Sequence, residues 1–242
     1  MIGMAATTLL TMPLHAITEA YGEPGLRDRL ELEIRSFPAD AQPVLRSARE
    51  LAAELHAADR RTREPYLNHL LRVAVRIISY YGVRDVDVIV AALLHDAVED
   101  HPEELAGLPA GTPHAEATDA AVAELARRFN PRVGELVRSV TNPEYDPGRD
   151  RHEQYREHVA ESLHRDPWAR VIKVSDFTDN GVGVIHATGD KARSSAAKYR
   201  PLVPTFRELI GRADTPLSET AKEHIYDQLD LAERRFAAIL DG

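Results

Sequence analysis

Val-Asp-Val-Ile-Val-Ala-Ala-Leu-Leu-His-Asp-Ala-Val-Glu-Asp, residues 86–100, is the stretch whose reading decides the fold. It opens apolar on almost all sides, which marks a central, buried helix rather than a surface one. Val88, Ile89 and Val90 alone would suit a buried strand, but the Ala-Ala-Leu-Leu continuation favours a helix. Asp85 is placed to cap its start. The segment then runs into His95, Asp96, Glu99 and Asp100. On a continued helix these four groups project from one end toward one region. Three carboxylates and an imidazole beside an apolar run are expensive to bury without a cation.

Outward from this segment the chain reads as helix nearly throughout. Apolar residues at helical spacing predict helices over 43–58 and 65–81, with Pro65 fitting a start and Gly82 a stop. Further helices are expected over 115–129, 131–140, 151–164, 168–179, 199–213 and 217–240. Loops are expected at 106–114, 141–150 and 181–190, the Gly- and Pro-bearing stretches. Strand patterns are weak, so a single all-α domain over 25–242, preceded by an N-terminal arm at 1–24, is the simplest organisation. His101, His114, His152, His158 and His164 stand in polar contexts and read as solvated.

Composition narrows the chemistry. The 242 residues include no cysteine, which removes disulfides, thiolate metal sites and cysteine nucleophiles. Any metal must use His, Asp and Glu. The net charge of −9 argues against binding polymeric nucleic acid, yet allows a small anion held by local arginines. No apolar stretch is long enough to span a bilayer, and the N-terminus lacks the basic region of a signal peptide. A cytoplasmic location is expected.

Two further blocks flank the central one. Arg60-Arg61-Thr62-Arg63-Glu64-Pro65-Tyr66-Leu67-Asn68-His69-Leu70 lies upstream, and Lys173-Val174-Ser175-Asp176-Phe177-Thr178-Asp179-Asn180 downstream. In that order, with His95-Asp96-Ala97-Val98-Glu99-Asp100 between them, they resemble the HD superfamily of metal-dependent phosphohydrolases. More narrowly they resemble the hydrolase domain of RelA/SpoT-type enzymes and the stand-alone small alarmone hydrolases, over about residues 45–200.

The resemblance implies an HD-type helical bundle. It also implies a divalent metal, usually Mn²⁺ in that family, on His69, His95, Asp96 and Asp176. Glu99 and Asp100 match the carboxylate pair that positions or deprotonates the attacking water, and Arg60 an arginine beside the catalytic centre. Arg61, Arg63, Asn180 and Tyr66 fall at substrate-side positions. The implied substrate is a small phosphorylated nucleotide, with guanosine 3′,5′-bis(diphosphate) losing its 3′-pyrophosphate. The chain also departs from the pattern. Phe177 replaces an arginine, Thr178-Asp179 a Leu-His pair, Leu70 a proline, and Arg61 and Arg63 a Lys and a Gly. These changes leave open another nucleotide, such as a deoxynucleoside monophosphate or a nicotinamide dinucleotide phosphate, or a non-catalytic nucleotide-binding module.

Overall fold

A computed structural model describes residues 2–242, and its regular structure is helical. The α-helices are α1 (Ile2–Thr11), α2 (Leu14–Ile34), α3 (Ala41–Leu55), α4 (Leu67–Ser79), α5 (Val86–Leu93), α6 (Ala97–Asp100), α7 (Pro102–Ala106), α8 (His114–Arg128), α9 (Pro131–Val140), α10 (Arg151–Arg165), α11 (Pro167–Gly181), α12 (Gly189–Tyr199), α13 (Val203–Gly211) and α14 (Glu219–Leu240). Short 3₁₀ turns cover Val182–His186 and Arg200–Leu202. Among the described residues no helix is long and apolar enough to cross a membrane.

Local chemistry sets the key boundaries. The Asp85 carboxylate accepts from the backbone N–H groups of Asp87 and Val88, capping α5. Asp166 caps α11 through Trp168 and Ala169, with Pro167 in its first turn. In α2, Gly22 takes a left-handed φ of 62° and Pro24 follows, so the helix kinks there.

Helix α4 is the hub. It packs against α2, α5 and α11, while α5 also lies on α3 and α9. Val88 to Leu94 are fully buried, as the all-round apolar run requires. Helices α12, α13 and α14 close the far side of α11.

Two expectations differ from what is seen. A boundary at residue 24 falls inside α2, and Leu14 and Ile17 ahead of it are core residues. The kink lets the first half of α2 turn its apolar face back onto the bundle. The expected loop at 181–190 is mostly helical, through the turn at Val182–His186 and the start of α12.

Candidate metal centre

The centre lies where the first turn of α4, the α5–α6 junction and the second half of α11 meet. Helix α5 ends at Leu93, so His95 and Asp96 occupy a turn before α6 rather than a continuing helix. The turn splits the acidic residues apart. His95 and Asp96 face inward, while Glu99 turns away and accepts from the Asn142 side-chain amide at 2.8 Å. Asp100 is exposed. Its carboxyl pKa is pushed up to about 7 by partial burial, then by the Asp96 and Glu99 charges.

Four donors converge on one point. His69 Nε2 lies 3.7 Å from Asp96 Oδ2 and 3.3 Å from Asp176 Oδ1. His95 Nε2 lies 3.1 Å from Asp96 Oδ2 and 3.8 Å from Asp176 Oδ1. All four side chains are buried. The second nitrogen of each ring is engaged away from this point. His95 Nδ1 lies 2.8 Å from the Ala92 carbonyl, which can only accept, so that nitrogen carries the proton. His69 Nδ1 likewise donates to Asp179 Oδ2 at 2.9 Å. Both Nε2 atoms therefore present lone pairs to the carboxylates.

That arrangement fits a cation. His95 Nε2 is buried without a hydrogen-bond partner. Its lone pair beside carboxylate oxygens is repulsive unless a proton or a metal ion sits between them. Burial opposes charging the ring, but Asp96 and Asp176 overcome it and push its pKa up to about 10. A proton thus stands in for the ion. Two imidazoles and two carboxylates suit a divalent transition metal. Each imidazole, braced by an acceptor on its other nitrogen, follows the pattern of metal-ligating histidines.

The supporting groups were not singled out in the sequence. Asp179 accepts from Arg72 Nε and Nη2, both at 2.9 Å, and from Arg76 Nη2 at 3.1 Å. These charges, with His69, hold its carboxyl well below the usual range despite full burial. Glu64 closes the other side of Arg72 at 2.6 and 2.7 Å. Lys173 Nζ lies 3.4 Å from Asp176 Oδ2 and donates to the Val140 carbonyl. Buried arginines at positions 72 and 76, one helical turn apart on α4, were the available signal, together with the change to Asp179.

The other expected site residues are distributed unevenly. Tyr66, expected on the substrate side, donates its hydroxyl to Asp96 Oδ2 at 2.7 Å and so braces a member of the centre. Asn180 donates to Asp176 Oδ1 at 2.6 Å. Arg61 reaches Asn180 and Asp179, stacked over the Tyr66 ring. Arg63 is exposed on the rim of the adjoining cavity. Arg60 is exposed and does not line that cavity. The Arg60–Pro65 bridge that closes the loop fixes only its backbone. Phe177 is buried against Tyr199, Phe206 and Phe236, so its ring serves the core. The cavity has a volume of about 580 Å³ and includes Arg61, Arg63, Lys191, Lys198 and Tyr199 in its wall. His15 and Glu19 of α2 also line it.

A family profile described as HD domain matches residues 48–165, which hold the first two blocks and both histidines of the centre. The mouse guanosine-3′,5′-bis(diphosphate) 3′-pyrophosphohydrolase MESH1 is 32% identical over 57% of this chain and 67% of its own length. The chain belongs to the HD domain family. This HD protein is also 32% identical, over 86% of its length, to a guanosine-3′,5′-bis(diphosphate) 3′-pyrophosphohydrolase of Aquifex aeolicus. It spans only 27% of that relative. The solved structure of a metazoan SpoT ortholog described as hydrolysing ppGpp superposes with a TM-score of 0.55 at 24% identity. That superposition covers 81% of the HD protein and 99% of the other chain, and it establishes the shared fold. Membership of the HD domain family implies a divalent metal, and His69, His95 and Asp96 form a group able to hold one.

Proposed function

We propose that this chain is a Mn²⁺-dependent phosphohydrolase of a small phosphorylated nucleotide. The leading substrate is guanosine 3′,5′-bis(diphosphate), cleaved at its 3′-pyrophosphate. One observation carries the reading: the buried centre of His69, His95, Asp96 and Asp176 lies behind Asp179 and Asn180, which bond His69 and Asp176 and line a cavity that also holds Arg61, Arg63, Lys191 and Lys198. Its volume of about 580 Å³ is in the range of small-molecule sites. The names of the relatives supply the substrate.

His69, His95, Asp96 and Asp176 would hold the divalent ion, which would supply water activation and Lewis-acid polarisation of the phosphoryl group. The protein's own residues do the rest. Asp100, four residues after Asp96, is the carboxylate assigned to accept the proton of the attacking water. Glu99, anchored by Asn142, fixes the segment that carries it. Tyr66 and Asn180 orient Asp96 and Asp176. Arg63, Lys191 and Lys198 face the phosphates, and Arg61 closes the wall nearest the centre. Arg60, outside the cavity, contributes a steering charge at the loop rim.

The engagement of Arg61 by Asp179 and Asn180 favours a second reading, in which the base side accepts another nucleotide. A panel of nucleotides assayed with Mn²⁺ tests both. The first reading expects the highest kcat/KM for the 3′-pyrophosphorylated guanosine. A higher value for a deoxynucleoside monophosphate or a nicotinamide dinucleotide phosphate selects the second. Turnover of none of them removes the hydrolase assignment.

A further inference from the structure

His101, which reads as solvated in the sequence, is not. Its Nε2 lies 2.6 Å from Asp59 Oδ2, and the same oxygen lies 2.7 Å from His56 Nδ1. The three donor atoms fall within 4.8 Å of one another. His56 caps the end of α3, Asp59 begins the arginine-bearing loop, and His101 joins α6 to α7. The cluster shares no residue with the centre described above.

We propose that His56, Asp59 and His101 form a second metal site, for a divalent ion of the zinc class, which clamps the arginine-bearing loop to the α6–α7 junction.

The donor chemistry fits such an ion: two imidazole nitrogens and one carboxylate oxygen, with no thiolate available. Bonds of about 2.0–2.2 Å in a tetrahedral site put donor atoms about 3.3 Å apart. The present contacts of 2.6 and 2.7 Å are hydrogen-bonded spacings that need to open by only about 0.6 Å. The Asp59 and His101 side chains are 31% and 20% exposed, so they have room to open and a water can complete the shell. His101 Nδ1 lies 3.5 Å from Glu104 Oε2, the outer carboxylate that orients a ligating imidazole.

The His56 ring supplies the independent observation. Its side chain is fully buried, and its Nε2 has no hydrogen-bond partner. Asp59 can only accept, so Nδ1 carries the ring proton in the metal-free protein, and an ion bound here would displace that proton. The ring stacks on Tyr66 at 4.9 Å, and Tyr66 in turn donates to Asp96. An ion at the second site would therefore brace the aromatic ring that holds the first.

Zn²⁺ alone is the probe, titrated calorimetrically into metal-stripped protein whose fold is checked by circular dichroism. Wild type is expected to bind two equivalents and His101→Gln one. Asp96→Ala is expected to keep one equivalent, and the Asp96→Ala/His101→Ala pair none. The proposal is overturned if Asp96→Ala binds no more than the double variant, or if His101→Gln matches wild type. Failure of the first centre looks different: Asp96→Ala would then match wild type while His101→Gln still loses an equivalent.

Discussion

Replacing Asp179 by alanine removes the carboxylate that ties α4 to α11. It takes away acceptors for His69 Nδ1, Arg72 Nε, Arg72 Nη2 and Arg76 Nη2, all at 2.9–3.1 Å. Arg72 keeps Glu64, and Arg76 keeps the Ser175 carbonyl, but both guanidinium groups stay buried with less opposing charge. Removing one partner of a buried ion pair costs about 3–5 kcal/mol. In a chain of this size each kcal/mol moves the melting point by about 2–4 °C, so a fall of about 6–20 °C is expected. His69 also loses its orienting acceptor, which lowers metal affinity about 10- to 100-fold. Thermal unfolding followed by circular dichroism in chelator reads the first effect free of the second, and Mn²⁺ titration reads the second. Asp179→Asn keeps the shape without the charge and falls between. If Asp179→Ala melts within about 2 °C of wild type and binds Mn²⁺ equally well, the reasoning about this network is wrong.

Three other outcomes follow from the same geometry. Tyr66→Phe removes the hydroxyl that donates to Asp96 and should weaken Mn²⁺ binding about tenfold with little change in helical content; unchanged affinity would leave Tyr66 a packing residue. His95 is raised to about 10 in the metal-free protein, so its contribution to stability is complete below the unfolded value near 6.5 and is lost as pH rises through about 10. Metal must displace that proton, so Mn²⁺ affinity should climb with pH over the same window, and a pH-independent affinity would count against the assignment. Asp100 is raised to about 7, so it favours the metal-free fold fully below pH 3.8 and loses that contribution as pH rises through 7. Solvent around this exposed residue mutes the size of the effect, but carbon NMR of the carboxyl should show a midpoint well above 3.8, and an ordinary midpoint would remove Asp100 as the base.

Much of this was legible in the chain, for identifiable reasons. The run at 86–94 could satisfy its apolar surface only in the centre of a bundle, and α5 lies there. His69, His95, Asp96 and Asp176 stand in three ordered blocks, and the structure brings all four together. What escaped depends on contacts distant in sequence. Asp179 looked like a departure, because the partners that pay for its burial, Arg72 and Arg76, lie more than a hundred residues away. The turn after Leu93 sends Glu99 to Asn142, which helical spacing from His95 could not reveal. Adjacent arginines at 60 and 61 are indistinguishable by charge, and only the loop's closure points one outward and the other to Asn180. His101 read as solvated because Asp59 and His56 lie on another element.

The most direct test of the central claim is phosphorus NMR of guanosine 3′,5′-bis(diphosphate) incubated with the purified protein, with Mn²⁺ or with chelator. The account predicts inorganic pyrophosphate and guanosine 5′-diphosphate as the products with Mn²⁺, and none with chelator or in Asp96→Ala. Intact substrate in the Mn²⁺-loaded wild type, or equal turnover with chelator, would contradict it.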